Sequence, residues 1–188
     1  MGIGLELTER TDEQLAAEAA REGSDGPAFV ALVERYSQRV WRICYRLLGN
    51  ADDASDAAQE VFVRLFVSRG KYQARSKYST WLHGLAVRTC LALRRSRGRR
   101  RRREGGSEAM IHEAQAPEAQ RGGAALSDDL LEMLDELDEI DRALVILKYA
   151  ENYSYEELAS IFELSVSACK MRVSRARDRV QKKHQGSE

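Results

Sequence analysis

Three groups of side chains in this chain of 188 residues have the types and spacing to bind a partner rather than to catalyse a reaction. The first is Asp52, Asp56, Gln59 and Glu60, which carry Val63 and Val67 with them. At 100° per residue these fall on one side of a helix, opposite Ala54, Ala57, Ala58, Val61 and Leu65. That side is either a solvated acidic face or a docking surface, and valines rimmed by carboxylates suit docking better than plain solvent. The second group is the segment "KYQARSKYS". Here Tyr72 and Tyr78 alternate with Lys71, Arg75 and Lys77 and with polar Gln73, Ser76 and Ser79. Rings for stacking together with cations for phosphate are the composition of a single-strand nucleic-acid site. On the helix that follows, Arg88, Arg94 and Arg95 share a side with His83, opposite Trp81, Leu82, Leu85, Thr89, Ala92 and Leu93. The run "RRSRGRRRRR" beyond them reads equally as a frayed, soluble tail.

The third group closes the chain. In "YSYEELASIFELSVSACKMRVSRARDRVQKK" the acids Glu156, Glu157 and Glu163 come first and the bases come after. On the helix opened by Ser165, residues Cys169, Val173, Ala176 and Val180 form a narrow apolar arc. Ser167, Met171, Ser174 and Arg175 lie opposite. Lys170 and Arg177 flank that face on one side, Arg172 and Arg179 on the other. A helix in a DNA major groove needs this layout: side chains for base edges in the centre and cations for phosphates on both walls. The short helix before it would cross the backbone, as in a helix-turn-helix.

The elements that must position these groups are all helical. β-branched runs of period two are absent, and three-and-four spacing recurs throughout. Thr11 with Gln14 predicts a capping box for a helix stopping near Gly23. Pro27 suits the first turn of the next helix, which Gly49 and Asn50 end. Asn50 then caps the acidic helix, with Asp52 and Asp53 near its positive end. Ser79 or Thr80 is expected to open the fourth helix. Residues 104–126 lack helical period and read as a linker. Beyond it Ser127 and Asp138 are caps, Leu130, Leu131, Leu134 and Leu137 give one apolar stripe, and Leu144, Ile146, Leu147 and Tyr149 read as core. Ser154 with Glu157 forms a second capping box. The expected fold is all-α: two small helical domains at 11–103 and 127–183, with tails at 1–10 and 184–188.

Composition narrows the function. Thirty basic and thirty acidic residues cancel, yet no Asp or Glu occurs from Arg69 to Arg103. Acids dominate from Glu104 to Glu163, and bases return after Lys170, so local fields persist at zero net charge. Cys44, Cys90 and Cys169 are few and far apart, and His83, His112 and His184 have no ligand spacing. Reduced thiols are expected, with no disulfide framework, no metal and no cofactor. "MGIGLELTERTDEQL" has neither a basic n-region nor an apolar h-region, and no run approaches the roughly 20 apolar residues of a membrane span. A cytoplasmic protein with no membrane contact of its own is expected. With no phosphate loop or nucleophile constellation, an enzyme is not.

Assembled, these parts resemble the extracytoplasmic-function (ECF) group of bacterial sigma-70 family sigma factors, from about Thr11 to Lys183. "AFVALVERYSQRVWRICYRLLGNADDASDAAQEVFVRLF" looks like the first two regions of the σ2 domain, and "YSTWLHGLAVRTCLALRR" like its −10 reading helix. "LDEIDRALVILKYAENYSYEELASIFELSVSACKMRVSRARDRV" looks like the σ4 domain. The resemblance implies a non-enzymatic factor that binds core RNA polymerase and directs it to promoters. Asp52, Asp56, Gln59, Glu60 and Val63 would meet the clamp coiled coil of the largest subunit, with further contact to the second-largest subunit. Lys71, Tyr72, Arg75, Lys77, Tyr78 and Ser79 would receive a base flipped from the −10 element, with Arg88, Arg94 and Arg95 beside them. Ser167, Met171, Ser174 and Arg175 would read the −35 element, while Lys148, Tyr155, Lys170, Arg172 and Arg177 hold phosphates. An anti-sigma factor is an expected partner. Two departures stand out: glycine is usual where Ala74 and Glu163 stand. The residues alone also admit a free-standing helix-turn-helix regulator, or a sigma-like protein that binds polymerase without opening promoters.

Overall fold

The computed structural model describes residues 9–22, 26–104, 134 and 137–185. Helix α1 spans Asp12–Ala19, α2 Pro27–Leu48, α3 Ala51–Ser68 and α4 Tyr78–Glu104, with a 3-10 turn at Arg69–Lys71 before α4. Helices α5 (Glu139–Tyr149), α6 (Tyr155–Phe162) and α7 (Val166–Gln185) follow. The fold is all-helical among the described residues. Ser127, Leu130, Leu131 and the segment 105–126 lie outside them.

Local chemistry sets the helix ends. Thr11 and Gln14 exchange the two hydrogen bonds of a capping box, and so do Ser154 and Glu157. Asn50 accepts from the Asp52 and Asp53 amides at 2.9 and 3.0 Å. Asp138 accepts in the same way from Ile140 and Asp141. Gly49 stops α2 in the left-handed region, at φ 75°, where its N–H returns to the Tyr45 carbonyl.

Helix α2 is the axis of the first half. Its buried Leu32, Tyr36, Val40, Ile43 and Leu47 meet Leu15 and Ala19 of α1, the alanines of α3, and Leu82, Ala86 and Cys90 of α4. Ala54, Ala57 and Ala58 have no bulk beyond Cβ, so α3 lies close on α2, and Trp41 Nε1 donates to Ser55 Oγ across that seam at 3.0 Å. In the second half Leu144 and Leu147 of α5, Leu158 and Ile161 of α6, and Cys169, Val173 and Ala176 of α7 close a smaller core. All three cysteines are free and buried. No described helix is long and apolar enough to cross a membrane.

Four expectations are corrected. Helix α4 begins at Tyr78, a residue before Ser79 and two before Thr80, and Tyr78 is buried. His83 is buried too, because α4 packs on α2 and α3 with one side and on α6 with another. Ala92, assigned to the buried side of α4, is exposed. Tyr149, assigned to the core, is 53% exposed.

Candidate nucleic-acid interface

The turn before α7 aims that helix. Helix α6 ends at Glu163 in the left-handed region, φ 56°, with its N–H on the Ala159 carbonyl. Ser165 Oγ then accepts from the Ala168 amide at 3.1 Å and starts α7. With Cys169, Val173 and Ala176 buried, Ser167, Lys170, Met171, Ser174, Arg175 and Arg177 are all exposed. Met171 presents a thioether between polar neighbours at 50% exposure. This is one continuous surface of donors, acceptors and cations.

Arg172 departs from the phosphate role expected of it. Its Nε donates to Asp141 Oδ1 at 2.6 Å, and its Nη2 reaches both Asp138 oxygens at 3.1–3.2 Å. The side chain braces α7 against α5 instead of pointing to a partner. Lys148 and Lys170 both place their ammonium groups over the Tyr155 ring, at 4.6 and 5.7 Å from its centroid. Lys148 also donates to the Tyr153 carbonyl at 2.9 Å.

In the first half, the loop after α3 folds over a cleft of about 270 Å³. Lys71, Tyr72, Gln73, Arg75, Ser76, Thr80, Trp81, Gly84 and Arg88 line it, and Ser160 and Glu163 of α6 complete it. Ala74 stands at φ 52°, so the position where glycine is usual is indeed a left-handed one. Tyr72 is half-buried and donates to the Ser76 carbonyl at 2.8 Å. Burial, with Glu13 and Asp12 nearby, holds its phenol above the ordinary range. Tyr78 cannot stack on a base from its buried place. Its ring meets Tyr72 edge-on at 5.2 Å and lies 5.7 Å from Trp81, so it props the cleft from below. Lys71, Arg75 and Lys77 are exposed and Ser79 is half-buried.

The other cations of α4 divide. Arg88 is exposed, and its Nη1 reaches the Ile161 carbonyl at 3.5 Å. Arg94 is half-buried with Nη1 on the Leu47 carbonyl at 3.4 Å, a brace at the end of α2 rather than a presented cation. Arg95 pairs with Glu139 of α5 at 3.1 Å. Arg97, absent from the sequence assignment, forms a two-pronged pair with Asp53. Trp81, Thr80 and Gly84 were likewise missed as cleft residues. Their spacing from the aromatic loop was visible, but their role depends on how the loop folds back.

The acidic face of α3 stands as its periodicity predicts. Asp52, Asp56 and Gln59 are exposed, and Val63 and Val67 are 59% and 73% exposed among them. Glu60 makes an i,i+4 pair with Arg64 at 2.6 Å. Exposed valines within a ring of carboxylates are a surface that gains by meeting a partner with an apolar centre and a basic rim.

An exposed basic helix, an aromatic-cationic cleft and an acidic face with exposed valines on two helical units are surfaces that suit a DNA-binding transcription protein. Known sequences agree. Sigma-70 region 2 matches residues 32–100, and Sigma-70 region 4 matches residues 127–180. The ECF RNA polymerase sigma factor SigW of Bacillus subtilis is 30% identical over 169 residues, 84% of this chain and 89% of its own length. The RNA polymerase sigma-H factor of Pseudomonas aeruginosa is 28% identical over 188 residues, covering 94% and 95% of the two chains. The sigma factor RpoE of Bartonella quintana, solved with the anti-sigma factor NepR, superposes with a TM-score of 0.65 at 26% identity over 82% of this chain and 94% of that one. The chain belongs to the ECF RNA polymerase sigma factors of the sigma-70 family, and its function is promoter-directed initiation of transcription.

Proposed function

We propose that residues 11–103 dock this chain on core RNA polymerase and hold the −10 element, and that residues 127–183 read the −35 element. Residues 104–126 are then the tether. Fully extended they span about 75 Å at ~3.3 Å per residue. The roughly 16–17 base pairs between the two elements span about 55–58 Å at 3.4 Å per step, so the tether need not be taut. Asp52, Asp56, Gln59 and Val63 meet the clamp coiled coil of the largest subunit. Lys71, Tyr72, Arg75 and Arg88 hold unstacked −10 bases, and Ser167, Met171, Ser174 and Arg175 meet −35 base edges. The chain performs no catalysis of its own, works in the cytoplasm, and is held in check by an anti-sigma factor, as the solved relative with NepR is partnered by one.

The observation that carries this reading is the exposed pair Val63 and Val67 among the carboxylates of α3, which a DNA-binding regulator acting alone does not need. Its test is replacement of Asp56 and Glu60 by Arg. Co-purification with core polymerase should be lost while the helical circular dichroism stays unchanged. Binding retained at ordinary salt would overturn the assignment.

A further inference from the structure

Gly84 lies in the interior of α4 and is buried. Glycine favours a helix interior less than alanine does, so its presence needs a reason. The backbone does not supply one: among the described glycines, positive φ occurs at Gly49 and not at Gly84. Nor does a neighbouring helix set the limit. The three nearest atoms that a Cβ at position 84 would meet all belong to the side chain of Arg88. Nη1 would stand 3.1 Å from that Cβ, Nη2 3.6 Å and Cζ 3.7 Å. The guanidinium therefore lies along the bare backbone of Gly84, closer than a Cβ ordinarily allows. A helical side chain leans towards the turn before its own, so residue 88 is the one that covers position 84.

This placement bears on the cleft. Thr80, Trp81, Gly84 and Arg88 share one side of α4 at 100° per residue, and all four line the cleft with Tyr72 and Arg75 of the loop. Leaning over Gly84 carries the Arg88 charge back by about one turn, ~5.4 Å, towards Trp81 and that loop. Arg88 is exposed, and its Nη1 bond to the Ile161 carbonyl is long, at 3.5 Å. A guanidinium has five N–H donors, so others remain for a partner. Their planar, forked arrangement matches a phosphate. No acid of α4 before Glu104 or of the loop competes for them, since none occurs from Arg69 to Arg103. The rings of Tyr72 and Trp81 suit a base, which leaves the adjoining strand phosphate as the group for Arg88.

We propose that Gly84 is a positioning residue: by lacking a side chain it seats the Arg88 guanidinium in the cleft, where Arg88 binds a strand phosphate beside an unstacked −10 base. The inference rests on the proposed promoter reading, and its test keeps the two separable. Holoenzyme is assembled from core polymerase and the full chain, as wild type, Gly84→Leu, Arg88→Ala and the double variant. Its affinity for a fluorescein-labelled single strand, carrying the proximal element of the start sites it selects, is read by anisotropy over a range of salt. Gly84→Leu should keep the helical dichroism and the Tm of the wild type, since leucine favours helix more than glycine does. It should bind about fivefold more weakly or worse, as should Arg88→Ala. Each should flatten the slope of log affinity against log salt by about 0.7, the value of one single-strand phosphate. The double variant should bind no more weakly than Arg88→Ala. Unchanged affinity in Gly84→Leu, or an equal further loss when it is added to Arg88→Ala, overturns the seat. Weaker binding with an unchanged salt slope overturns the phosphate contact. Should Gly84→Leu not fold, Gly84→Ala carries the same comparison with a smaller loss. A wild-type holoenzyme that selects no start sites overturns the promoter reading, and this inference with it, before any variant is compared.

Discussion

The Arg172 guanidinium of α7 grips the Asp141 carboxylate of α5 at 2.6 Å and extends to Asp138, the residue that caps α5. A cation on the flank of the exposed, basic helix α7 is therefore part of the frame that orients it. Arg172→Ala should lower the unfolding free energy by about 1–3 kcal/mol, between the values for exposed and buried pairs. It should leave the ranking of −35 sequences unchanged. Urea unfolding with a binding selection checks this. Undiminished stability with weakened binding to every sequence would return Arg172 to the phosphate-contacting role.

Arg175 makes the opposite case. It is exposed on the face that also carries Ser174 and Met171. An arginine–guanine pair gives about 1–3 kcal/mol of discrimination. Arg175→Ala in the polymerase holoenzyme should relax preference at one or two −35 positions, with stability unchanged. A uniform loss across all −35 variants would show that Arg175 meets phosphate instead.

His83 provides a pH signature. Burial, then the charges of Arg39 and Arg42, push its pKa from 6.5 down to about 3. Tyr36, Arg39 and Arg42 of α2 and Tyr153 face it, and burial raises the Tyr153 phenol, so Tyr153 keeps its proton in its hydrogen bond with Nδ1. The unfolded chain therefore takes up the proton first as pH falls. This group adds no pH dependence above about 6.5, and below that it removes up to about 1.4 kcal/mol of stability per pH unit. Unfolding at pH 7.5 and 5.5 should show that loss in the wild type and not in His83→Gln. Equal losses in both would place the titrating group elsewhere.

What could be read from the sequence, and what could not, divides by range. The caps at Thr11, Asn50, Asp138, Ser154 and Ser165 involve partners two or three residues away, and each side chain caps as its type predicts. The face of α3 follows from helical period alone, since a single side of that helix is covered. Period fails for α4, which is covered on more than one side, so His83 was placed in solvent although it is buried. Composition marked Tyr78 as a stacking ring, but stacking needs exposure, and composition carries none. Arg172 lay on the expected flank of α7, yet a helical projection shows direction and not what stands across from it. Glu151 gave no local signal, because the arginines it pairs with, Arg39, Arg42 and Arg46, belong to α2, far earlier in the chain. Ala74 and Glu163 were legible as departures from glycine, and both positions have positive φ.

The most direct test of the central account is initiation itself. Purified core polymerase is given fragmented genomic DNA from the source organism, with and without this chain, and transcript 5′ ends are sequenced. The account predicts a set of new start sites that require the chain and share two upstream elements about 16–17 base pairs apart. The preference at the distal element should shift with Arg175→Ala. Start sites no different from those of core polymerase alone would contradict it.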